Sequence, residues 1–140
     1  MQTIKVQNPH GFNIIIGHIP NRQTVDSINY ALRNNLPEVK FGIAFSQIDP
    51  TQIAYVGSDK ALTELAKTNA RKVGVEQTFF LFTENEDVRD VMKVLKTVPE
   101  IDRIYCATQN QVEVIVVGQH KKDIMGLVGD YSNLAQPASN

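Results

Sequence analysis

A chain of 140 residues has the length of one domain and can bury a sizeable core. Its 14 Lys and Arg against 15 Asp and Glu leave a formal net charge of -1, which supplies no field to draw nucleic acid or an anionic membrane. A single cysteine, Cys106, excludes an internal disulfide and any multi-cysteine metal cage, and fits a reducing compartment.

The apolar runs Ile14 to Ile16 and Val114 to Val117 are too short to span a bilayer, and the N-terminus shows no basic stretch followed by an apolar core. The expectation is a cytoplasmic protein with neither membrane nor nucleic-acid partner. Thr3 to Gln7 and Phe12 to Gly17 flank the turn residues Asn8-Pro9-His10-Gly11 and read as a first hairpin. Asn13 to Ile16 is apolar on both alternating faces, as a central strand is. A loop follows, and Thr24 can cap a helix with the stripe Val25, Ile28, Ala31 or Leu32, and Leu36, which Pro37 ends.

Lys40 to Gln47 reads as a strand interrupted by Gly42, where a neighbour can approach the backbone closely. Asp49-Pro50 turns the chain into a short strand, Ile53 to Val56. Ser58 can cap a second helix carrying Leu62, Leu65, Ala66, Asn69 and Val73, with Gly74 as its stop. Gln77 to Phe82 is too continuously apolar for a half-exposed strand and reads as another central one. Thr83 to Glu86 has capping-box chemistry ahead of a third helix over Val88, Val91, Met92 and Leu95, closed by Pro99.

Ile104 to Thr108 and Val112 to Val117, parted by Gln109-Asn110-Gln111, read as a second hairpin. Glu113 is the anomaly there, because a carboxylate inside a covered strand needs a partner, a rim or a site. Ile124 to Asp130 reads as a short strand or turn. These elements imply an α/β (α+β) fold of one domain over residues 1–131, with a mixed β-sheet, hairpins at both ends and about three helices, followed by a flexible tail over 132–140.

No phosphate loop, dinucleotide fingerprint, nucleophile elbow or zinc helix is present, so chemistry has to be sought in loops. His18 ends a buried strand after a glycine, where a catalytic imidazole would be presented, although a lone loop histidine is more often simply solvated. His120 with Lys121 and Lys122 makes a small cationic loop able to receive a phosphate, or an ordinary solvated face. Cys106 sits among apolar neighbours, as a small buried hydrophobe does. Phe41, Phe45 and Tyr105 could stack on a base, with core packing the plainer reading of each. Asp49, Asp102, Glu113, Asp123 and Asp130 are candidate magnesium ligands, but no spacing rule selects among them, and the metal is left open.

Lys40-Phe41-Gly42-Ile43-Ala44-Phe45, Ile104 to Asn110 and Val112 to Val116 resemble the adenosine-specific kinase family. Asn13 to Gly17, Thr24-Val25, Asn69-Ala70, Val73-Gly74, Val98 to Glu100 and Gly126 to Val128 follow in the family's order, so the likeness covers most of the chain. It implies a compact α/β subunit that binds adenosine or an adenine nucleotide, assembles into homo-oligomers (trimer or hexamer), uses ATP and Mg2+, and transfers phosphate through a histidine. By this resemblance the ligand is placed among Phe41, Gly42, Phe45, Cys106, Ala107, Thr108, Asn110 and Glu113; His18 is the candidate catalytic phosphate acceptor that replaces the family's histidine from two residues away, and His120 with Lys122 are the candidate phosphate contacts. The chain departs from the family pattern in its loops. The family's histidine position falls on Pro20, and a second family histidine falls where this chain reads Glu76-Gln77. An alternative expectation is a non-catalytic oligomeric ligand-binding or regulatory protein that kept the fold and lost kinase activity.

Overall fold

The computed structural model describes residues 1–47, 52–118 and 122–129. Asp49, His120, Lys121, Asp130 and the expected tail over 132–140 lie outside them. Among the described residues the order is β1 (Gln2–Lys5), β2 (Asn13–His18), α1 (Arg22–Asn35), β3 (Lys40–Ser46), β4 (Ile53–Gly57), α2 (Lys60–Val73), β5 (Thr78–Glu84), α3 (Val88–Leu95), β6 (Arg103–Thr108), β7 (Val112–Val117) and β8 (Asp123–Gly129).

Five strands form one sheet in the order β4-β3-β5-β2-β6, and three form a second in the order β1-β7-β8, with every recorded pairing antiparallel. The five-stranded sheet is covered on both faces. On one, Ile15, Phe41, Ile43, Phe45, Phe79 and Leu81 pack with the apolar stripes of α1 and α3. On the other, Ile14, Ile16, Ala44, Phe80 and Phe82 pack with α2 and with Val112, Val114 and Val116 of the second sheet. This double cover explains why β2, β3 and β5 read as continuous apolar runs rather than alternating ones.

The α/β class and the three helices are as the sequence implies, and β2 and β5 are central. The strand pairing within that class departs from one mixed sheet with terminal hairpins. β1 pairs with β7, and β2 pairs with β5 and β6, so the first expected hairpin is divided between the two sheets. The Gln109-Asn110-Gln111 connection likewise carries the chain from β6 in one sheet to β7 in the other. The physical reason lies in the burial of Val112, Val114 and Val116. They gain cover by lying face-on against the larger sheet, and Val6 N–H extends the β1–β7 ladder by donating to Val112 O at 3.0 Å. The hairpins that do form are β3–β4 and β7–β8.

The helix caps also shift by a few residues. Asn21 accepts from Thr24 N–H to start α1, Asp59 accepts from Leu62 N–H to start α2, and Asp87 accepts from Arg89 N–H to start α3. Gly74 stops α2 in the left-handed conformation, at φ 64°. Arg89 also donates to both carboxylate oxygens of Asp87, which holds that acid down at about 2.

Gly42 shows what the glycine inside β3 is for. A Cβ there would lie 2.2 Å from Thr63 N and 2.3 Å from its Cα, so the neighbour that approaches the backbone is α2 itself.

Candidate functional site

His18 occupies the last position of β2, paired with Thr78 of β5 on one side and Arg103 of β6 on the other. The β2–β6 ladder slips between Ile16 and Gly17. Gly17 permits this closeness, since a Cβ would lie 2.5 Å from Arg103 O and 2.6 Å from the Phe79 ring. The slip brings Asp102 beneath the imidazole. His18 Nδ1 lies 2.8 Å from Asp102 Oδ2, and Asp102 N–H donates to His18 O at 3.0 Å. The imidazole is about one third exposed and the carboxylate one half. A carboxylate at Nδ1 favours the tautomer with its proton there, which leaves the Nε2 lone pair available.

The surroundings of this pair are polar and aromatic. The Arg103 guanidinium lies 5.8 Å from the centre of the Tyr105 ring. Burial, then the charge of Asp123, pushes the Tyr105 phenol above its ordinary value. Lys122, half-buried, directly precedes Asp123 at the start of β8. Among the described residues no three metal-ligating side chains converge.

A cleft of about 440 Å³ opens beside the same end of the sheet, at the start of α1, and is lined by Pro20, Asn21, Arg22, Gln23, Phe45, Gln47, Gln52 and Gln77. Gln77 has a φ of 62°, a left-handed conformation that costs a non-glycine residue of order 1 kcal/mol. Three hydrogen bonds hold it there. Its N–H donates to Ser46 O at 2.6 Å, its carbonyl accepts from Ile19 N–H at 3.1 Å, and its Nε2 donates to Pro20 O at 3.0 Å. Phe45, itself buried in the core, forms the apolar floor, and the amides of Asn21, Gln23, Gln47, Gln52 and Gln77 line the cleft with hydrogen-bond donors and acceptors.

The residues singled out in the sequence do not gather in one place. His18, Phe45 and Lys122 lie at one end of the molecule. Phe41, Gly42, Thr108, Asn110 and Glu113 lie towards the other end, about 16 Å away along β2 at ~3.3 Å per residue. Phe41, Phe45 and Ala107 face the α1 layer, and Cys106 faces the opposite one. Phe41 and Thr108 are fully buried, and Gly42 lies under α2. Asn110 N–H donates to Thr108 Oγ1 at 3.0 Å. Glu113 is exposed on the outer face of the second sheet, across from Lys5. Burial pushes the Cys106 thiol up to about 12, so it is a packing group rather than a nucleophile.

Asp102 and the cleft amides Asn21, Gln47, Gln52 and Gln77 carry roles that the sequence reading did not assign. The sequence offers Asp102 only as a candidate metal ligand, and its partnership with His18 depends on the β2–β6 pairing, which a β6–β7 hairpin hides. Gln77 gives no local sign of a positive φ.

The whole-chain comparisons agree with this architecture. The family model for adenosine specific kinase matches residues 4–136. The crystal structure of the PH1918 protein from Pyrococcus horikoshii OT3 superposes with a TM-score of 0.84 at 32% identity, over 91% of this chain and 80% of that one. A comparison with curated proteins returns no match. A family model spanning nearly the whole chain, together with a solved relative of the same fold at this identity, means that the chain belongs to the adenosine specific kinase family.

Proposed function

We propose that the chain binds adenosine or an adenine nucleotide in the cleft at the start of α1. The observation that carries this reading is the cleft's position. Pro20 and Gln77, which line it side by side, belong to the two places, Pro20 and Glu76-Gln77, where the sequence resemblance puts family histidines. The buried Phe45 edge gives the cleft an apolar floor, and glutamine amides match the donor and acceptor pair on the adenine edge. Arg22 and the free N–H groups of the first α1 turn suit a phosphate at the 5′ end. Adenosine or AMP should raise the melting temperature of the purified protein, and no shift at millimolar ligand contradicts the binding.

The catalytic part of the proposal is phosphoryl transfer through His18. The Nε2 lone pair attacks the terminal phosphorus of ATP, an N–P bond forms, and the P–O bond to ADP breaks with its electron pair leaving on ADP. The Nδ1 proton stays on the ring, where Asp102 offsets the developing positive charge. Magnesium would neutralise phosphate charge as the nucleotide's counter-ion, with Asp102 and Asp123 the nearby carboxylates. Intact mass measured at alkaline pH after incubation with ATP and magnesium should show one added phosphate that is absent from His18→Asn.

A second reading is favoured by the cleft itself. Pro20 and Gln77 cannot carry phosphate on nitrogen as imidazoles do, so the chain would bind the nucleoside without transferring phosphate. A melting shift without any mass increase selects this non-catalytic reading. The family resemblance further supports assembly into trimers or hexamers, for which sedimentation velocity is the test.

A further inference from the structure

A second opening lies at the far end of β2 from His18, where the exit of β1, helix α2 and the β6–β7 connection meet. It measures about 530 Å³, and its lining includes Lys5, Val6, Gln7, Leu65, Lys72 and Gln111. Among the described residues no acidic side chain lines it.

Its walls are fixed by a buried amide. Leu65, Asn69 and Lys72 recur on one stripe of α2, at spacings of four and three, and this stripe faces the chain leaving β1. Asn69 is fully buried. Its Oδ1 accepts from Gln7 N–H at 2.7 Å, and its Nδ2 donates to Gln7 O at 2.9 Å and to Leu65 O at 3.0 Å. A buried amide satisfied on both sides ties α2 to the β1 exit in one geometry, so the opening is preformed. Lys5 and Lys72 form no ion pair among the described residues. The nearest cross-strand carboxylate, Glu113, stands opposite Lys5 in the register without pairing with it.

We propose that this opening is a second ligand site, for a small organic phosphate, separate from the cleft at the start of α1. Two ammonium groups carried by different elements meet a phosphate dianion from two sides, and the amides of Gln7 and Gln111 supply neutral donors. Val6 and Leu65 give the organic part an apolar surface. A phosphate with a hydrocarbon body therefore binds more tightly than inorganic phosphate.

Calorimetric titration of the full chain with phenyl phosphate, and separately with inorganic phosphate, tests this. The expected result is saturable binding that favours phenyl phosphate, falls about tenfold or more in Lys72→Gln, and is lost in the Lys5→Gln and Lys72→Gln double variant. Half-molar salt should weaken it, and Glu113→Gln should strengthen it slightly by removing a negative charge across the strand from Lys5. Adenosine binding should be unchanged in the double variant, which separates this site from the α1 cleft. Absence of saturable binding overturns the proposal, as does binding that the double variant retains. Both lysines are exposed, and an unchanged melting curve for the double variant establishes that its fold is intact.

Discussion

His18 and Asp102 form a pair whose chemistry follows from one contact, 2.8 Å between Nδ1 and a carboxylate oxygen. If that contact orients the imidazole for attack, Asp102→Asn should lower the rate of His18 phosphorylation by about one to two orders of magnitude, the range seen when a carboxylate supporting a functional histidine is lost. Adenosine binding in the cleft should be unaffected. Rapid-quench labelling with ATP at alkaline pH reads the first quantity and calorimetry the second. Cys106 allows a pH prediction at the same scale. Its thiol is raised by burial to about 12, while the unfolded chain ionises near the ordinary 9.0. This contribution to stability is complete below pH 9 and is lost as pH rises towards 12, at about 1.4 kcal/mol per unit. Denaturant unfolding of the wild type against Cys106→Ala should show that part of the alkaline loss missing from the variant. The chemical character of Cys106 was legible in its apolar neighbours. The partner of His18 was not, because Asp102 becomes its neighbour only through the pairing of strands more than eighty residues apart in sequence.

The elements themselves were legible where burial sets the period. β2 and β5 read as central strands because both their faces are covered, and the stripes of α1, α2 and α3 followed helical spacing. Pairing was less legible for a physical reason. A short polar connection such as Gln109 to Gln111 shows that a strand ends, but it does not say whether the next strand stays in the same sheet or crosses to a second. Asn69 left a trace in the sequence, a polar residue within the apolar stripe of α2, and the structure shows it joining that helix to the β1 exit. Asn69→Leu should destabilise the fold by about 1 to 2 kcal/mol by removing the hydrogen bonds of the buried Asn69 amide to the part-buried Gln7 N–H and C=O. Gly42 makes the same point for the larger sheet. Gly42→Ala forces a methyl into the backbone of Thr63, and a loss of about 3 kcal/mol or more is expected. Urea unfolding measures both, and near-native stability in either variant would contradict the packing described here.

At the scale of the whole molecule, the family likeness is densest at one end and the open cleft lies at the other. The likeness is densest along Cys106 to Glu113, where Cys106, Ala107, Thr108 and Val112 are core and Gln109, Gln111 and Glu113 reach the surface at the end remote from His18. The open cleft lined by amides lies at the other end, formed by the β2–α1 turn and by Gln77, where this chain departs from the family pattern. A stretch that fits a fold under strict packing can stay recognisable without touching a ligand, whereas loops vary with what they bind. The central claim is thus positional: adenosine sits in the cleft at the start of α1. Titration of the ¹⁵N-labelled protein with adenosine, followed by its amide spectrum, tests that claim most directly. Saturable shifts concentrated at Asn21, Arg22, Gln23, Gln47 and Gln77 are predicted, and shifts concentrated at Thr108 to Glu113, or none at millimolar adenosine, would contradict it.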